Sequence, residues 1–155
     1  MREPDKTLVQ CDFDGTITIE DASFVILDAY VPDKWSSLFE EYQQGKMTVG
    51  EFNTTVFSMV RADKETLLDM IREKVSVREG FADFMEYCLS KSYRFVIVSN
   101  GLDFYIKDIL GRTGFKDVEV HASNTVFEED GLTVRHTFPD GKYLDEDVKA
   151  AYPEI

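Results

Sequence analysis

Cysteine is nearly absent from this chain. Two residues, Cys11 and Cys88, in 155 make no disulfide framework, and a reducing, cytoplasmic setting is expected. Proline is sparse too, with four residues, and no Gly/Ser/Pro-rich linker or repeat divides the sequence. No apolar run approaches the ~18–20 residues that a membrane-spanning helix needs. Residues Met1 to Lys6 are largely charged and lack the apolar stretch and cleavage site of a secretory signal. Basic residues are few, 17 against 30 acidic ones, for a formal charge of −13. That balance argues against bulk binding to nucleic acid or anionic lipid. A small anionic substrate stays compatible with it, given a cation or local donors to receive the charge.

What is present forms a core. Hydrophobic residues make up 43% and aromatic residues 13% of the chain, which excludes global disorder. The length suits one compact domain with an inserted subdomain, able to bury roughly 70% of its unfolded surface.

The period of the apolar residues changes along the chain. Thr7 to Cys11 predicts a short strand, followed at once by Asp12-Phe13-Asp14-Gly15-Thr16. Tyr93 to Val98 predicts a strand buried on both faces, closed by Ser99-Asn100-Gly101. Open α/β sheets bind ligands at such carboxyl ends. Between the two strands the spacing is helical: Trp35, Leu38, Phe39 and Tyr42; Val49, Phe52, Val56 and Met59; Leu67, Met70, Ile71 and Val75. Thr48 to Glu51 fits a capping box, and Asp63 fits an N-cap. This is more than one crossover helix and predicts a helical insertion after the first strand. Phe81, Phe84, Met85, Cys88 and Leu89 then form the stripe of a core helix. A further helix runs from about Leu102 to Leu110, with stops at Gly111 and Gly114. Val118 to Ala122 reads as a third parallel strand. Thr125 to Phe127 and Leu132 to Phe138 read as a hairpin around Asp130-Gly131, its second strand exposed.

Asp12 and Asp14 lie two apart at a strand's end, so their side chains leave on one face. Two carboxylates that close resist joint ionisation unless a cation bridges them or one keeps a proton. With Mg²⁺, a carboxylate oxygen can approach a phosphorus whose charge is partly cancelled. With a proton on the second acid, a leaving oxygen can be protonated as it departs. Gly15 permits a sharp turn that brings backbone N–H groups to an anion. Thr16 adds a hydroxyl that either donates to ligand or caps the turn. Asp21 is either an acid facing the substrate or the N-cap of the helix from Ala22.

The pentapeptide Asp12-Phe13-Asp14-Gly15-Thr16 resembles the first motif of the haloacid dehalogenase superfamily of phosphohydrolases. Phe95-Val96-Ile97-Val98-Ser99-Asn100-Gly101 resembles its second motif. The helical insertion resembles the cap of the phosphoserine-phosphatase-like branch. Asp21, Arg78-Glu79-Gly80-Phe81 and His121-Ala122-Ser123-Asn124 bring the wider pattern closest to the methionine-salvage phosphatases of that branch. The resemblance implies an α/β fold: a Rossmann-like parallel sheet core with a helical cap inserted after the first strand. Core would be 1–20, cap 21–77 and core again 78–155. It further implies that Asp12 is the nucleophile, forming an aspartyl-phosphate, and that Asp14 acts as acid and then as base. Mg²⁺ would be held by Asp12 and the backbone carbonyl of Asp14. Ser99 and the N–H of Asn100 would receive the phosphoryl oxygens, with Thr16, Asp21 and Gly101 beside the substrate. Lys149 is the expected phosphate-steadying lysine, and Lys142 its competitor. The partner implied is a small phosphorylated metabolite.

One piece of the pattern is missing. No buried strand ending in Gly-Asp follows, and Asp140-Gly141 with Asp145 only imitates it. A C-terminal core strand is therefore expected to be absent, with weakened metal binding and a chain that is weakly active or inactive. The bare sheet edge would invite a homodimer. A non-catalytic relative binding a phosphorylated ligand or a protein, a phosphoserine-type phosphatase and a phosphate-transferring mutase are the alternative readings. His121 and His136 read as ordinary strand residues. Arg61, Lys64, Arg72, Lys74 and Arg78, interleaved with acids, read as a solvated helix face.

Overall fold

The computed structural model describes residues 6–137 and 143–144. Strand β1 (Leu8–Cys11) pairs in parallel with β2 (Arg94–Leu102), Val9 opposite Phe95 and Cys11 opposite Ile97. β2 pairs in parallel with β3 (Glu119–Glu128), Val98 opposite His121. The chain then reverses, so that β4 (Gly131–Thr137) runs antiparallel to β3 and β5 (Tyr143–Leu144) antiparallel to β4. The order is β1-β2-β3-β4-β5, a mixed sheet with a parallel first half. Among the described residues, β1 is an edge strand.

The β2 run is apolar on both sides because both sides are covered. Phe95 and Ile97 enter the main core, while Val96 and Val98 pair on the opposite face, each 0% exposed. The strand does not close at Ser99-Asn100-Gly101 as the sequence suggested. It continues to Leu102, and its register with β3 shifts between Val98 and Leu102. A break of this kind re-aims side chains at a strand end.

Four helices follow β1. They are α1 (Ala22–Tyr30), α2 (Pro32–Gln43), α3 (Val49–Phe57) and α4 (Lys64–Lys74). Each starts where local chemistry permits. Asp21 accepts from Phe24 N–H, Pro32 opens α2, Thr48 and Glu51 form a reciprocal capping box, and Asp63 accepts from Thr66 N–H. Phe24, Trp35, Phe39 and Phe52 knit α1, α2 and α3 together, with ring centroids 5.0 Å (Phe24–Trp35), 5.2 Å (Phe24–Phe39) and 5.6 Å (Phe39–Phe52) apart. The chain enters and leaves this group of helices along one antiparallel seam, where Thr18 bridges Val77 and Ile19 N–H donates to Ser76 O at 2.9 Å.

Helix α5 (Phe81–Ser90) buries Phe81, Met85 and Cys88. Helix α6 (Asp103–Arg112) runs through Gly111, which does not stop it. The β4 strand is not exposed on both faces. Leu132 and Val134 are each 1% exposed, β4 packs on α3, and Thr54 Oγ1 donates to Val134 O at 3.3 Å. Its alternation records one buried face, which strand periodicity cannot distinguish from an open hairpin. Lys142, Lys149, Asp140 and Asp145 lie outside the described residues.

Candidate active site

The turn after β1 is wound around one carbonyl. Phe13 is fully buried, and its oxygen accepts from the N–H groups of Thr16, Ile17 and Thr18 at 3.1, 2.9 and 3.3 Å. Gly15 turns the chain in the left-handed region at φ 73°. Thr18, not Thr16, caps this turn: its hydroxyl accepts from Gly15 N–H at 3.2 Å and donates to Glu20 O at 2.7 Å. Thr16 instead donates its hydroxyl to Asp12 Oδ2 at 3.3 Å, from an exposed position. Phe13 points into the core, and Asp12 and Asp14, on the other side of the backbone, both line one cleft of about 270 Å³.

Asp14 is held at both oxygens. Ala22 N–H donates to Oδ1 at 2.9 Å and the Tyr105 hydroxyl to Oδ2 at 2.6 Å. Burial raises the Asp14 carboxyl, with the charge of Asp21 adding to it, from 3.8 to about 7. Burial likewise raises Asp21, held back by backbone hydrogen bonds from Phe24 and Ser23. Asp21 thus does both things the sequence allowed, capping α1 and lining the cleft. The Tyr105 phenol, fully buried and beside Asp14, is pushed well above its ordinary value and stays protonated.

The end of β2 forms the facing wall. Ser99, 1% exposed, accepts from Gly101 N–H at 2.9 Å, which leaves its own hydroxyl hydrogen to donate. Asn53 on α3 donates from Nδ2 to Asn100 O at 2.8 Å, so the helical insertion braces the β2 end. Gly101 has no substitute here, since a methyl group on it would overlap Asp14 Oδ2 and the Tyr105 hydroxyl. Phe24, Phe39, Tyr42, Val49 and Phe52 complete the lining. Of the residues expected in the site, Asp12, Asp14, Asp21, Ser99, Asn100 and Gly101 line this cleft. Thr16 touches it only through Asp12, and Lys149 lies outside the described residues.

Three further residues were not expected. They are Tyr105 on α6, Asn53 on α3 and Ser23 on α1. The signal for Tyr105 was its place four residues after Gly101, in the first turn of the helix that the β2 end feeds. Arg78 is a correction. It is not on a helix face: its Nε donates to Thr16 O at 2.8 Å and its Nη2 to Gly15 O at 3.1 Å, clasping the turn from the α4–α5 connection. Arg72 is paired across to α6, with Asp108 at 2.8 Å.

No group of three metal-ligating side chains gathers among the described residues. The donors that are present still suit a hard, well-hydrated cation. Mg²⁺ keeps several waters and takes one or two protein carboxylates, and Asp12 offers one beside the Asp14 main chain. Among the described residues the cleft is lined by three acids and by no cationic side chain, so an anion entering it requires a counter-charge.

The Asp14 shift has a consequence for stability. In metal-free buffer the native chain keeps a proton on Asp14 up to about pH 7, whereas the unfolded chain loses it near pH 4. Across that window the native state binds the extra proton, so stability falls as pH rises and levels off above it. Denaturant midpoints measured in chelator should decline from pH 5 to 7, with a shallower slope in Asp14→Asn. An identical slope in that variant would contradict the assignment.

The parallel neighbours β1 and β2 bring an acid pair and a serine to adjoining strand ends of an α/β protein. The family model of haloacid dehalogenase-like hydrolases matches residues 9–152, and the chain belongs to that family. It is 30% identical over 130 residues to the 2-hydroxy-3-keto-5-methylthiopentenyl-1-phosphate phosphatase of Brevibacillus brevis, covering 83% of this chain and 59% of that protein. The chain therefore spans less than two thirds of that curated relative. Among solved structures, a family hydrolase from Salmonella enterica serovar Typhi superposes with a TM-score of 0.70 at 16% identity, covering 84% of this chain and 44% of that one. A phosphoserine phosphatase in its phospho-aspartyl intermediate analogue superposes with a TM-score of 0.67 at 18% identity, covering 84% and 64%. These two share the fold.

Proposed function

We propose that the chain hydrolyses a small phosphomonoester through an aspartyl-phosphate on Asp12. The observation that carries this reading is the shared cleft: Asp12, Asp14, Ser99 and Asn100 converge on it, with Asp14 able to hold a proton near neutral pH. An Asp12 carboxylate oxygen forms a bond to phosphorus as the bond from phosphorus to the substrate oxygen breaks. Asp14 gives its proton to that departing oxygen. Asp14 then takes a proton from water, whose oxygen displaces phosphate from Asp12 and restores the carboxylate. The Ser99 hydroxyl and the Asn100 N–H donate to the phosphoryl oxygens, whose charge is spread in transfer. Bound Mg²⁺, held by Asp12 and the Asp14 carbonyl, would cancel part of the phosphate charge in this acidic cleft. Residues 21–77 act as the cap that covers the site and selects the leaving group. The unpaired Cys11 and Cys88 support a cytosolic setting; no described helix is long and apolar enough to cross a membrane.

The cleft wall supports a finer reading, the methionine-salvage enol-phosphate rather than phosphoserine. Phe24, Phe39, Phe52 and Val49 suit an uncharged, apolar organic group, and among the described residues no cationic side chain lines the cleft to meet a substrate carboxylate. A buried charge without a partner is strongly disfavoured. With Mg²⁺, kcat/KM for 2-hydroxy-3-keto-5-methylthiopentenyl 1-phosphate should exceed that for phosphoserine by at least about tenfold. Equal values, or a preference for phosphoserine, would remove this assignment.

A further inference from the structure

The hydrolase reading requires Asp14 to alternate between acid and base, and its surroundings must tolerate both forms. A carboxylate offers only acceptors, while a carboxylic acid adds one donor. A fixed donor such as Lys or Arg would suit the first form and oppose the second. What the structure places there is a hydroxyl relay. Tyr105, fully buried on α6, reaches Asp14 Oδ2 at 2.6 Å, and behind it Ser23 Oγ on α1 lies 2.8 Å from the same phenol oxygen. Both groups donate one hydrogen and accept others. With Asp14 ionised, the hydrogens run from Ser23 to Tyr105 to Asp14. With Asp14 protonated toward the cleft, Oδ2 keeps a lone pair for the neutral Tyr105 hydroxyl, so no heavy atom has to move.

We propose that Tyr105, backed by Ser23, is a positioning residue that holds the Asp14 carboxyl in one place through both of its protonation states. The relay joins the core helix α6 to the first helix of the insertion, so the proton donor is also tied to the segment that covers the cleft. Gly101 leaves the room in which the two groups meet. This inference rests on the hydrolase reading above and adds to it a residue outside the motif that gives the family resemblance.

The test compares two leaving groups, with kcat/KM as the measure of the first chemical step. An alkyl phosphate needs a proton on its departing oxygen, whereas p-nitrophenolate departs without one. Tyr105→Phe keeps the ring and removes the hydroxyl. Its kcat/KM for an alkyl phosphate should fall at least about tenfold further than for p-nitrophenyl phosphate, and Ser23→Ala should shift the same ratio in the same direction by less. Equal losses on both substrates, the result of a merely structural role, overturn the proposal, as does no loss. A reading independent of turnover is the amide resonance of Ala22, which donates to the other Asp14 oxygen. It should move in Tyr105→Phe, and an unmoved peak overturns the positioning role. No turnover by the unsubstituted chain, or unchanged turnover in Asp12→Asn, overturns the hydrolase reading itself and the proposal with it.

Discussion

Asp12→Asn should lower phosphate release by at least about 10³-fold while leaving the fold intact. The amide matches the carboxylate in shape and still accepts from the Thr16 hydroxyl, now 3.3 Å from Asp12 Oδ2. It is a poor nucleophile, however, and forms no stable phosphoryl ester. The structure also predicts the sign of the stability change. Asp12 adds to the charge crowding at both Asp14 and Asp21, so its neutralisation relieves repulsion and should leave the melting temperature unchanged or raised. The pair of measurements is informative together. Lost turnover with an unchanged or higher melting temperature assigns the chemistry to Asp12. Lost turnover with a large drop in melting temperature would show only that the turn had collapsed, and retained turnover would remove the covalent mechanism.

The second large effect is expected at Gly101. Its backbone angle is open to any residue, so alanine there meets no conformational strain. The obstacle is space. A methyl group would overlap Asp14 Oδ2 and the Tyr105 hydroxyl and approach Ser99 Oγ to 3.1 Å. Overpacking of a filled site costs about 1–3 kcal/mol, and the groups that must yield are those the proposed chemistry uses. A displacement near 1 Å is worth about 10² in rate. Gly101→Ala should therefore lose about 100-fold in turnover and melt earlier. Gly111→Ala is the control. That position lies within α6 with nothing inside 4 Å, and alanine should stabilise the helix by about 0.5–1 kcal/mol without loss of turnover. Similar losses at the two glycines would contradict the steric argument.

Cap and strand elements were legible because their signals are local. The capping box at Thr48 and Glu51, the N-caps at Asp21 and Asp63 and the continuous β2 run each act within a few residues. The hairpin turn was located, but the environment of β4 was not, since a period of two reports alternation and not which neighbour covers the inner face. Arg78 was misread for a related reason. A basic residue among acids resembles a solvated face until the chain's return brings its guanidinium to the carbonyls of Gly15 and Thr16.

The sequence by itself determined the pair of acids at a strand's end, the serine late in a second buried strand and the helical character of the insertion between them. These depend on backbone periodicity, turn chemistry and residue type, all of which operate over short separations. Only the tertiary structure decided which groups hold those acids. Tyr105 lies 91 residues from Asp14 and Ser23 lies 82 from Tyr105, and Asn53 meets Asn100 across 47. Side-chain hydrogen bonds reach only about 3 Å. Whether such partners meet is set by the packing of α1, α3 and α6 around the end of β2, which no local pattern records.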